Sequence, residues 1–422
     1  MNAEDLHVLH LNASDAKGGA AIAAHRLHDG LRAQGVHSKM LVYRRYTDDP
    51  DVLTAYDGWL SRRYASRAPL LDKLPLRRYP NYAGTPFTPA WMPSLVPRHV
   101  HPLNPDIVHL HWPGDGFTRV RTLARLNRPL VWTLHDMWAF TGGCHYSGGC
   151  MRYTDACGAC PQLGSTREND LSRNVWKRKR DDWRNLKLTI VTPSRWLAEC
   201  VQRSSLFRDA VVHVIPNGID TATFRPYERA LARDIFRLPQ ERKLILFGAL
   251  EADSDARKGF HYLHAAAAQL ADDPALELVM FGNRRTPDES WPLPVHAIGV
   301  LDDDRLLALL YSACDVFVAP SQEDNLPNTV LEALACGTPC VAFNIGGLPD
   351  MITHQHNGYL ATPFDEADLA AGIRFVLEDA DHHHALAAAA RERAVEQFAL
   401  DKIATRYRNL YETVLAQNNA SG

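Results

Sequence analysis

The sequence predicts an α/β protein built from two doubly wound, parallel-sheet domains. Short apolar runs rich in Val, Ile and Leu alternate with longer amphipathic stretches, which is the pattern of strands that crossover helices bury on both faces. The strand pattern restarts at Lys243, after a loop containing Pro216, Asn217 and Gly218, and these residue types favour turns and linkers. We therefore expect two Rossmann-like domains with a boundary near Gly218.

Eleven apolar runs are predicted to be strands, six in the first half and five in the second. In the first half they are Leu6–Leu11, Ser38–Tyr43, Asp106–Trp112, Leu130–His135, Leu188–Thr192 and Val211–Ile215. In the second half they are Lys243–Phe247, Leu276–Phe281, Val295–Ile298, Asp315–Ala319 and Pro339–Phe343. The chain after Asp365 is predicted to be helical to about Gln417. The predicted domains are residues 1–217 and 218–398, and we expect a terminal helix over 399–422 that packs back on the first domain.

Length and composition exclude several classes of protein. At roughly 100 to 200 residues per domain, 422 residues suffice for two domains, and a hydrophobic fraction of 46% can fill both cores. Disordered, collagen-like and disulfide-dense chains are excluded. No apolar run approaches the roughly 18 residues of a membrane span. Because Met1–Asp5 is acidic and no signal-like segment follows, we expect a cytoplasmic protein whose eight cysteines stay reduced.

Charge is distributed unevenly between the two halves. Residues 1–200 carry 27 basic and 18 acidic side chains, which leaves 19 and 31 for residues 201–422. Three basic runs lie in the first half: Arg62-Arg63, Arg77-Arg78 and Lys177-Arg178-Lys179-Arg180. Solvated helix faces are the simplest explanation, and no nucleic-acid module accompanies these runs. We expect them to form a peripheral site for anionic lipid on the inner face of the plasma membrane, or for a lipid-diphosphate acceptor.

Glycines and cations mark possible phosphate sites at the carboxyl ends of predicted strands, where open parallel sheets bind their ligands. Gly18-Gly19 follows the first strand and opens a helix, where backbone N–H groups can approach a phosphate. A tight turn explains this pair equally well. Arg257-Lys258-Gly259 precedes a helix of the acidic second domain. An exposed basic pair is usually a solvated surface, but a diphosphate bound to this domain would need such cations.

The segment from Pro320 to Gly337 carries the most information. A predicted strand ends at Pro320, a polar loop follows, and a helix begins near Asn328, so that Asp324 and Glu332 are eight residues apart. The helix dipole would explain one acidic residue at a helix start, but not both at this spacing. The segment resembles the E-x7-E signature of retaining glycosyltransferases of the GT4 type.

The resemblance extends over most of the chain, and it is closest to bacterial transferases of capsule, exopolysaccharide and lipopolysaccharide assembly. The motifs that carry it are Gly18-Gly19-Ala20, His109-Leu110-His111-Trp112, Thr133-Leu134-His135-Asp136-Met137-Trp138, Asn217-Gly218-Ile219-Asp220, Lys258-Gly259, Gly346-Gly347-Leu348-Pro349-Asp350 and Asn357-Gly358. It implies a GT-B fold, in which two Rossmann-like domains face each other across a cleft. The first domain would then lie on the acceptor side and the second would bind a nucleotide-sugar donor.

The resemblance also implies roles for individual residues. Glu332 would hold the ribose hydroxyls of a UDP- or GDP-sugar, while Arg257 and Lys258 would bind its diphosphate. His135 would face the donor sugar, although a buried histidine satisfied by Asp136 is an alternative. The implied catalytic residues are His135, Asp324 and Lys258. The implied donor-binding residues are Gly18, Gly19, Arg257, Lys258, Glu323, Asp324, Asn325, Leu326, Pro327, Asn328 and Glu332.

Two positions depart from the family pattern. The first carboxylate of the signature is usually Glu, whereas here Asp324 follows Glu323, so either side chain could reach the sugar. The family arginine usually follows the first strand of the second domain as Gly-Arg, but this chain has Gly248-Ala249. Arg257 would then substitute from the following loop.

The expected reaction is sugar transfer from a nucleotide diphosphate to a glycan or lipid-linked acceptor, with retention of configuration. Cations and N–H groups around the leaving phosphate stabilise its developing charge. Asp302-Asp303-Asp304 is interpreted as a helix-terminal charge cluster, so no catalytic metal is expected. Two alternatives remain: a sugar-nucleotide epimerase of the same architecture, and a nucleotide-sugar binding protein without turnover.

Four cysteines cluster in a Gly-rich segment over 142–164. Cys144, Cys150, Cys157 and Cys160 are spaced C-x5-C-x6-C-x2-C. Four sulfurs within 17 residues suit a structural zinc ion, but the spacing matches no common zinc finger. Free or partly oxidised thiols are the alternative. Cys200, Cys314, Cys336 and Cys340 are predicted to fill the cores.

Overall fold

The computed structural model describes residues 6–56, 58–248, 255–282 and 291–420. The signal-peptide argument on Met1–Asp5 and the family position at Ala249 concern residues outside these ranges. The chain divides into two compact units. Unit 1 comprises residues 1–216 together with 403–422, and unit 2 comprises residues 217–402.

Unit 1 contains a seven-stranded parallel sheet in the order β3-β2-β1-β4-β5-β6-β7. Its strands are β1 (His7–Ser14), β2 (His37–Arg44), β3 (Val52–Thr54), β4 (Ile107–Leu110), β5 (Leu130–Thr133), β6 (Leu188–Thr192) and β7 (Val212–Val214). Its helices are α1 (Gly19–Ala33), α2 (Trp59–Asp72), α3 (Val96–Leu103), α4 (Leu171–Trp183) and α5 (Arg195–Arg203). All residues of β4 and β5 are buried, as expected for central strands covered on both faces.

Unit 2 contains a six-stranded parallel sheet in the order β10-β9-β8-β11-β12-β13. Its strands are β8 (Lys243–Gly248), β9 (Leu276–Phe281), β10 (Val295–Gly299), β11 (Val316–Ala319), β12 (Cys340–Phe343) and β13 (Gly358–Ala361). Its helices are α6 (Arg229–Phe236), α7 (Phe260–Ala268), α8 (Asp304–Ala313), α9 (Asn328–Ala335), α10 (Leu348–Met351), α11 (Glu366–Val376) and α12 (Ala380–Gln397).

The last helix, α13 (Leu400–Ala420), begins in unit 2 and continues into unit 1. Its buried face includes Ile403, Tyr407 and Tyr411, and these side chains share a hydrophobic cluster with Leu6 and Val8 at the start of the chain. The Tyr411 hydroxyl lies 2.7 Å from Nδ1 of His109 in β4. The carboxyl-terminal helix is therefore an integral part of the first sheet's core.

The predicted fold class is confirmed, since both units are parallel sheets whose order reverses on either side of the first strand. All eleven predicted strands are present, with ends shifted by up to three residues. Strands β3 and β13 were not predicted; both lie at sheet edges and have three and four residues, too few for a clear apolar pattern. Among the helices of the described residues, none is long and apolar enough to span a bilayer.

Candidate functional site

The carboxyl end of β11 in unit 2 meets the loop that precedes α7. Gly259 has a φ of +70°, and a Cβ at this position would lie 1.8 Å from the carbonyl oxygen of Pro320. Only glycine permits this close approach of two backbones. The backbone N–H of Gln322 also donates to the carbonyl of Arg257 at 2.7 Å. These contacts hold the basic loop against the acidic loop of the signature segment.

Lys258 and Asp324 form the ion pair at this junction. Lys258 Nζ lies 2.8 Å from Oδ2 of Asp324, whose other oxygen accepts the N–H of Asn325 at 3.0 Å. The lysine side chain is 31% exposed and the aspartate side chain 11%, so solvent and ligands can reach the ammonium. Gly346 fixes the aspartate backbone, because a Cβ there would lie 2.0 Å from the Asp324 carbonyl oxygen.

The other two predicted charges have different surroundings. Arg257 is engaged by Asp255, with Nη2 2.6 Å from Oδ2 and Nε 3.1 Å from Oδ1. Glu323 is half-buried, whereas Asp324 is 8% exposed and is the carboxylate that pairs with Lys258. The structure therefore brings Lys258 and Asp324 together, while the Arg257 side chain pairs with a residue of its own loop.

Helix α9 begins at Asn328, as predicted, directly after the signature loop. The side-chain amide of Asn217 lies 3.2 Å from Oδ1 of Asn328 and 3.4 Å from the carbonyl of Leu326. Leu326 and Asn325 are buried, while Pro327 and Asn328 are half-buried at the helix start. This arrangement links the turn at Asn217 to the amino terminus of α9, where backbone N–H groups lack helical partners.

Glu332 lies one turn inside α9 and is 4% exposed. The buried hydroxyl of Tyr311, on α8, donates a hydrogen bond to Oε2 of Glu332 at 3.0 Å. Burial, and then the neighbouring Glu332 carboxylate, raises the pKa of Tyr311 well above its usual value, so the phenol stays protonated and donates. Tyr311 was not among the predicted site residues, because nothing in the sequence indicates which tyrosine faces α9.

In unit 1, Gly18 caps the start of α1 with φ +95° and ψ 154°, a conformation that favours glycine. The carbonyl of Gly18 accepts the N–H groups of Ala21 and Ile22 at 3.0 and 3.1 Å. A Cβ at Gly18 would meet no atom within 4 Å, so the glycine is required by backbone conformation and not by local crowding. Gly19 is the first residue of the helix.

His135 follows β5 and is half-buried. Its Nε2 lies 3.1 Å from Nδ1 of His111, and burial lowers its pKa to about 4. His135 is therefore neutral at physiological pH. The Asp136 carboxylate accepts from Trp112 Nε1 at 3.0 Å and from the Trp138 N–H at 2.8 Å. It also lies 2.9 Å from His145 Nδ1.

Beyond His135 lies a buried histidine cluster that the sequence did not reveal as a unit. It comprises His10 in β1, His109 in β4 and His111 just after β4, all at most 3% exposed. Burial, as the largest cause, lowers the pKa of each well below the usual value. Sequence reasoning could have found this cluster from one signal: histidines recur at alternate positions in strands that are otherwise apolar.

The four clustered cysteines line one pocket in unit 1, together with Phe87, Tyr153 and two glycines. The N–H of Gly142 donates to the sulfur of Cys157 at 3.1 Å. Burial raises the pKa of Cys157 to about 12 and that of Cys144 above its usual value. Within the described ranges, two groups of three possible ligands have their ligand atoms within 4.8 Å of one another: one consists of three histidines, the other of one histidine and two aspartates, and neither includes a cysteine. The sulfurs thus share a pocket without lying at zinc-binding distances.

The basic run in α4, which was predicted to contribute to a lipid-binding surface, is exposed only at Lys177 and Arg180. Lys179 is fully buried, donates to the carbonyls of Trp138 and Thr141, and lies 3.9 Å from the centroid of the Trp138 ring. Burial lowers its pKa to about 7. Arg178 donates to the carbonyls of Pro89 and Ala90, so the interior of this run holds the fold together. The interleaved Trp176 and Trp183 are buried as well.

Two family models match the chain, and together they cover most of it. The model described as Glycosyltransferase Family 4 matches residues 17–223, which lie in unit 1 except for the last seven. The model described as Glycosyl transferases group 1 matches residues 229–393, in unit 2. The gap between the two matches, residues 224–228, lies shortly after the boundary between the units.

Curated relatives are also glycosyltransferases or glycan synthases. The chain is 35% identical over 213 residues to a glycogen synthase of Mycobacterium tuberculosis, and the aligned segment covers 48% of each chain. It is 31% identical over 199 residues to a D-inositol 3-phosphate glycosyltransferase of Stackebrandtia nassauensis, covering 43% of this chain and 44% of that protein. A sulfoquinovosyl transferase of Arabidopsis thaliana is 25% identical over 87% of this chain and 67% of its own length. The chain thus spans about half the length of the first two.

Solved structures with the same fold cover nearly the whole chain. Sucrose-phosphate synthase from Thermosynechococcus elongatus has a TM-score of 0.70 at 21% identity, covering 98% of this chain and 100% of its own. HepE from Anabaena, solved with UDP and glucose, has a TM-score of 0.65 at 18% identity, covering 96% and 99%. The predicted GT-B fold is confirmed. With both family models matched across its two units, the chain belongs to the group 1 and family 4 glycosyltransferases.

Proposed function

We propose that the protein transfers a sugar from a nucleotide-diphosphate donor to a glycan or lipid-linked acceptor, with retention of anomeric configuration. The observation that carries this proposal is the Lys258–Asp324 pair beside the start of α9. It offers a partly exposed ammonium paired with a residue of the loop that leads into α9, in a glycosyltransferase domain. A diphosphate is the ligand whose charge suits this combination.

In the proposed complex, unit 2 binds the nucleotide. Lys258 contacts the diphosphate, the N–H groups near Leu326 to Asn328 add hydrogen bonds, and Glu332 accepts hydrogen bonds from the ribose hydroxyls. Tyr311 keeps the Glu332 carboxylate in place from its protein side. Arg257 requires one change first, because its guanidinium must leave Asp255 to reach a phosphate.

The proposed chemistry follows from charge development in the transition state. As the sugar leaves the diphosphate, negative charge grows on the leaving oxygen, where Lys258 and backbone N–H groups stabilise it. With retention, the acceptor hydroxyl arrives on the side of the leaving group, and the departing phosphate takes its proton. We propose that neither a dedicated protein base nor a catalytic metal ion is needed. His135 and the Gly18-Gly19 turn would be the contributions of unit 1.

The donor is proposed to be a UDP-sugar, with a GDP-sugar as the next candidate. HepE, which shares the fold, was solved with UDP and with UDP-glucose. The acceptor is proposed to be a glycan or a lipid-diphosphate-linked sugar of bacterial surface polysaccharide assembly, as the sequence resemblance implies.

We also propose that helix α2 contacts an anionic membrane. Its exposed side chains include Trp59, Arg62, Arg63, Arg67 and Leu70, with Trp59 69% and Leu70 72% exposed. The following turn continues the same composition, with exposed Lys73, Leu74, Arg77 and Arg78. Asp72 is buried and accepts N–H groups of Ala90 and Trp91, so it does not offset these charges at the surface. Exposed aromatic and basic side chains on one helix suit the interface of an anionic bilayer.

The experiment that tests the central proposal combines donor binding with product analysis. Titration calorimetry with UDP, GDP, UDP-glucose and GDP-mannose identifies the nucleotide, and slow donor hydrolysis without acceptor shows that the bond to the diphosphate is broken. Release of an altered nucleotide sugar would instead identify an epimerase. Binding without hydrolysis or transfer to any acceptor would identify a nucleotide-sugar binding protein and contradict the proposal.

A further inference from the structure

Three histidines of unit 1 form a continuous hydrogen-bonded chain that ends at His135. His10 Nδ1 lies 2.9 Å from His111 Nε2, and His111 Nδ1 lies 3.1 Å from His135 Nε2. Successive rings are nearly parallel, with centroids 5.2 and 5.4 Å apart. Both nitrogens of His111 are therefore used, one toward each neighbour.

The positions of these residues follow from the sheet order. Strand β1 pairs with β4, and β4 pairs with β5, so His10 in the middle of β1, His111 just after β4 and His135 just after β5 lie in a row. His10 and His111 are at most 3% exposed. Because burial keeps all three imidazoles neutral, each ring has one N–H donor and one bare acceptor nitrogen.

A chain of neutral imidazoles allows two arrangements of protons. In the first, His10 donates from Nδ1 to His111, and His111 donates from Nδ1 to His135, so that His135 carries its proton on Nδ1. In the second, every proton moves to the other nitrogen, and His10 Nε2 becomes a donor. His10 Nε2 is buried and has no hydrogen-bond partner. Since an orphaned buried N–H is rarer than an orphaned acceptor, the first arrangement is favoured.

The same residues could also be considered as a metal site, because ligand atoms of His10, His109 and His111 lie within 4.8 Å of one another. The hydrogen bonds that these histidines already make disfavour metal binding. His109 is occupied on both nitrogens, by the Tyr411 hydroxyl at 2.7 Å and by Thr133 Oγ1 at 2.8 Å. Because both nitrogens of His111 are occupied as well, a metal ion bound to all three residues would have to break at least two hydrogen bonds, one at His109 and one at His111.

We infer that His10 and His111 are positioning residues for His135, and that they fix its neutral ring as the Nδ1–H tautomer. Nε2 accepts from His111, and Nδ1 carries the proton of the ring. The consequence for sugar transfer rests on the proposed function. The tautomer itself is a property of the protein without bound donor, so it can be tested independently of the proposed function.

The test is a long-range ¹H–¹⁵N correlation spectrum of the full chain labelled with ¹⁵N-histidine, recorded without donor at pH 7.5. His135 is assigned by the signals that disappear in His135→Gln. We expect its Nδ1 to show the shift of a protonated nitrogen and its Nε2 that of a bare acceptor. A protonated Nε2 in the wild-type protein, or an imidazolium, overturns the inference.

Two substitutions of His10 distinguish positioning from mere core packing. His10→Asn keeps an N–H donor where Nδ1 stood, and we expect the His135 signals and turnover to be retained. His10→Leu removes the donor, and we expect mixed His135 tautomers and a kcat lower by about 10-fold or more, with KM for the donor changed much less. Unchanged His135 signals in folded His10→Leu overturn the inference. If His10→Leu does not fold, the wild-type spectrum and His10→Asn decide.

Discussion

The ammonium of Lys258 lies 2.8 Å from the carboxylate of Asp324, and the two residues belong to loops that follow different strands of the unit 2 sheet. In the proposed complex, the ammonium would exchange this carboxylate for the diphosphate of the donor. We expect Lys258→Ala to lower kcat by about 100-fold, because one cation is removed from the leaving phosphate. Steady-state donor hydrolysis or transfer measures this loss.

The matched control for Lys258→Ala is Arg305→Ala, which removes an exposed cation from α8 in the same unit. Arg305→Ala should leave kcat within twofold, while the thermal midpoints of both variants should stay close to the wild type. Equal activity of Lys258→Ala and the wild type would show that the phosphate is stabilised elsewhere.

Glu332 and Tyr311 provide a second, independent test through donor affinity. Glu332→Gln replaces a buried carboxylate that is proposed to accept ribose hydroxyls, and hydrogen bonds to charged groups contribute about 1.5–3 kcal/mol. We therefore expect Kd for UDP to rise by about 10- to 100-fold in calorimetry. Tyr311→Phe keeps the carboxylate but removes the hydroxyl 3.0 Å away, so it should weaken binding less. A Glu332→Gln variant with wild-type affinity would contradict the ribose role.

Sequence reasoning located the strands and helices of unit 2 that flank the candidate site. Asp324 could be placed on a loop and Glu332 on a helix, because the apolar runs before and after them clearly identify the flanking elements. The pairing of Lys258 with Asp324 could not be derived, since it depends on Gly259 and Gly346 allowing backbones to approach closely. The functional roles of these residues stay predictions.

In unit 1 the sequence was less informative, because sheet order and burial are not local properties. His10, His111 and His135 form a row only because β1, β4 and β5 are neighbours in the sheet. The sequence of the strands along the chain does not reveal that they are neighbours. Charge patterning misled for the same reason: Lys179 stands in a run of basic residues, yet its side chain points into a core of tryptophans.

Buried neutral histidines make the stability of unit 1 dependent on pH. His10, His28, His109, His111 and His135 all have lowered pKa values, mainly through burial, and the pKa of His28 and His135 falls from 6.5 to about 4. Between these two values the unfolded chain binds more protons than the folded one. The free energy of unfolding should therefore fall as pH drops below about 6.5, by about 1.4 kcal/mol per pH unit for each histidine that is charged only when unfolded.

Urea unfolding followed by tryptophan fluorescence between pH 7.5 and 5 measures this effect, because eight of the nine tryptophans lie in unit 1. His28→Gln should reduce the slope, while His37→Gln, at an exposed position, should leave it unchanged. A stability that does not change over this range would show that the histidines are charged, or accessible, in the folded state.

The membrane proposal predicts binding to anionic vesicles through α2. Basic residues near an anionic surface contribute about 1 kcal/mol each, so replacing Arg62, Arg63 and Arg67 by Gln should weaken binding to phosphatidylglycerol vesicles on the order of 100-fold. Cosedimentation at low ionic strength measures it. The control variant replaces Lys177, Arg180 and Arg184 by Gln. These residues are also exposed, so the control removes the same charge at α4. Equal losses in both triple variants would indicate a general charge effect and contradict a specific surface.

The cysteine pocket predicts a structural zinc ion, and the buried Lys179 gives a physical reason to expect one. Zinc binds thiolates and releases their protons, and the pKa values of Cys144, Cys157 and Cys160, raised by burial, oppose that release unless positive charge is added. Burial lowers the pKa of Lys179 to about 7, while the neighbouring Cys144 and Cys157 favour its protonated form, so Lys179 can supply part of this charge. Binding would then draw together four sulfurs that already line one pocket.

We expect about one zinc per chain by mass spectrometry of the metal content, lost in Cys157→Ser together with several degrees of thermal midpoint. Cys200→Ser, a buried cysteine of the same unit outside the loop, should retain the metal. The hydrogen bond from Gly142 to Cys157 makes this cysteine the most informative one, because its sulfur is already held in place. If the wild-type chain binds no zinc when supplied with it and titrates as eight free thiols, the loop is held by packing and by Lys179 alone.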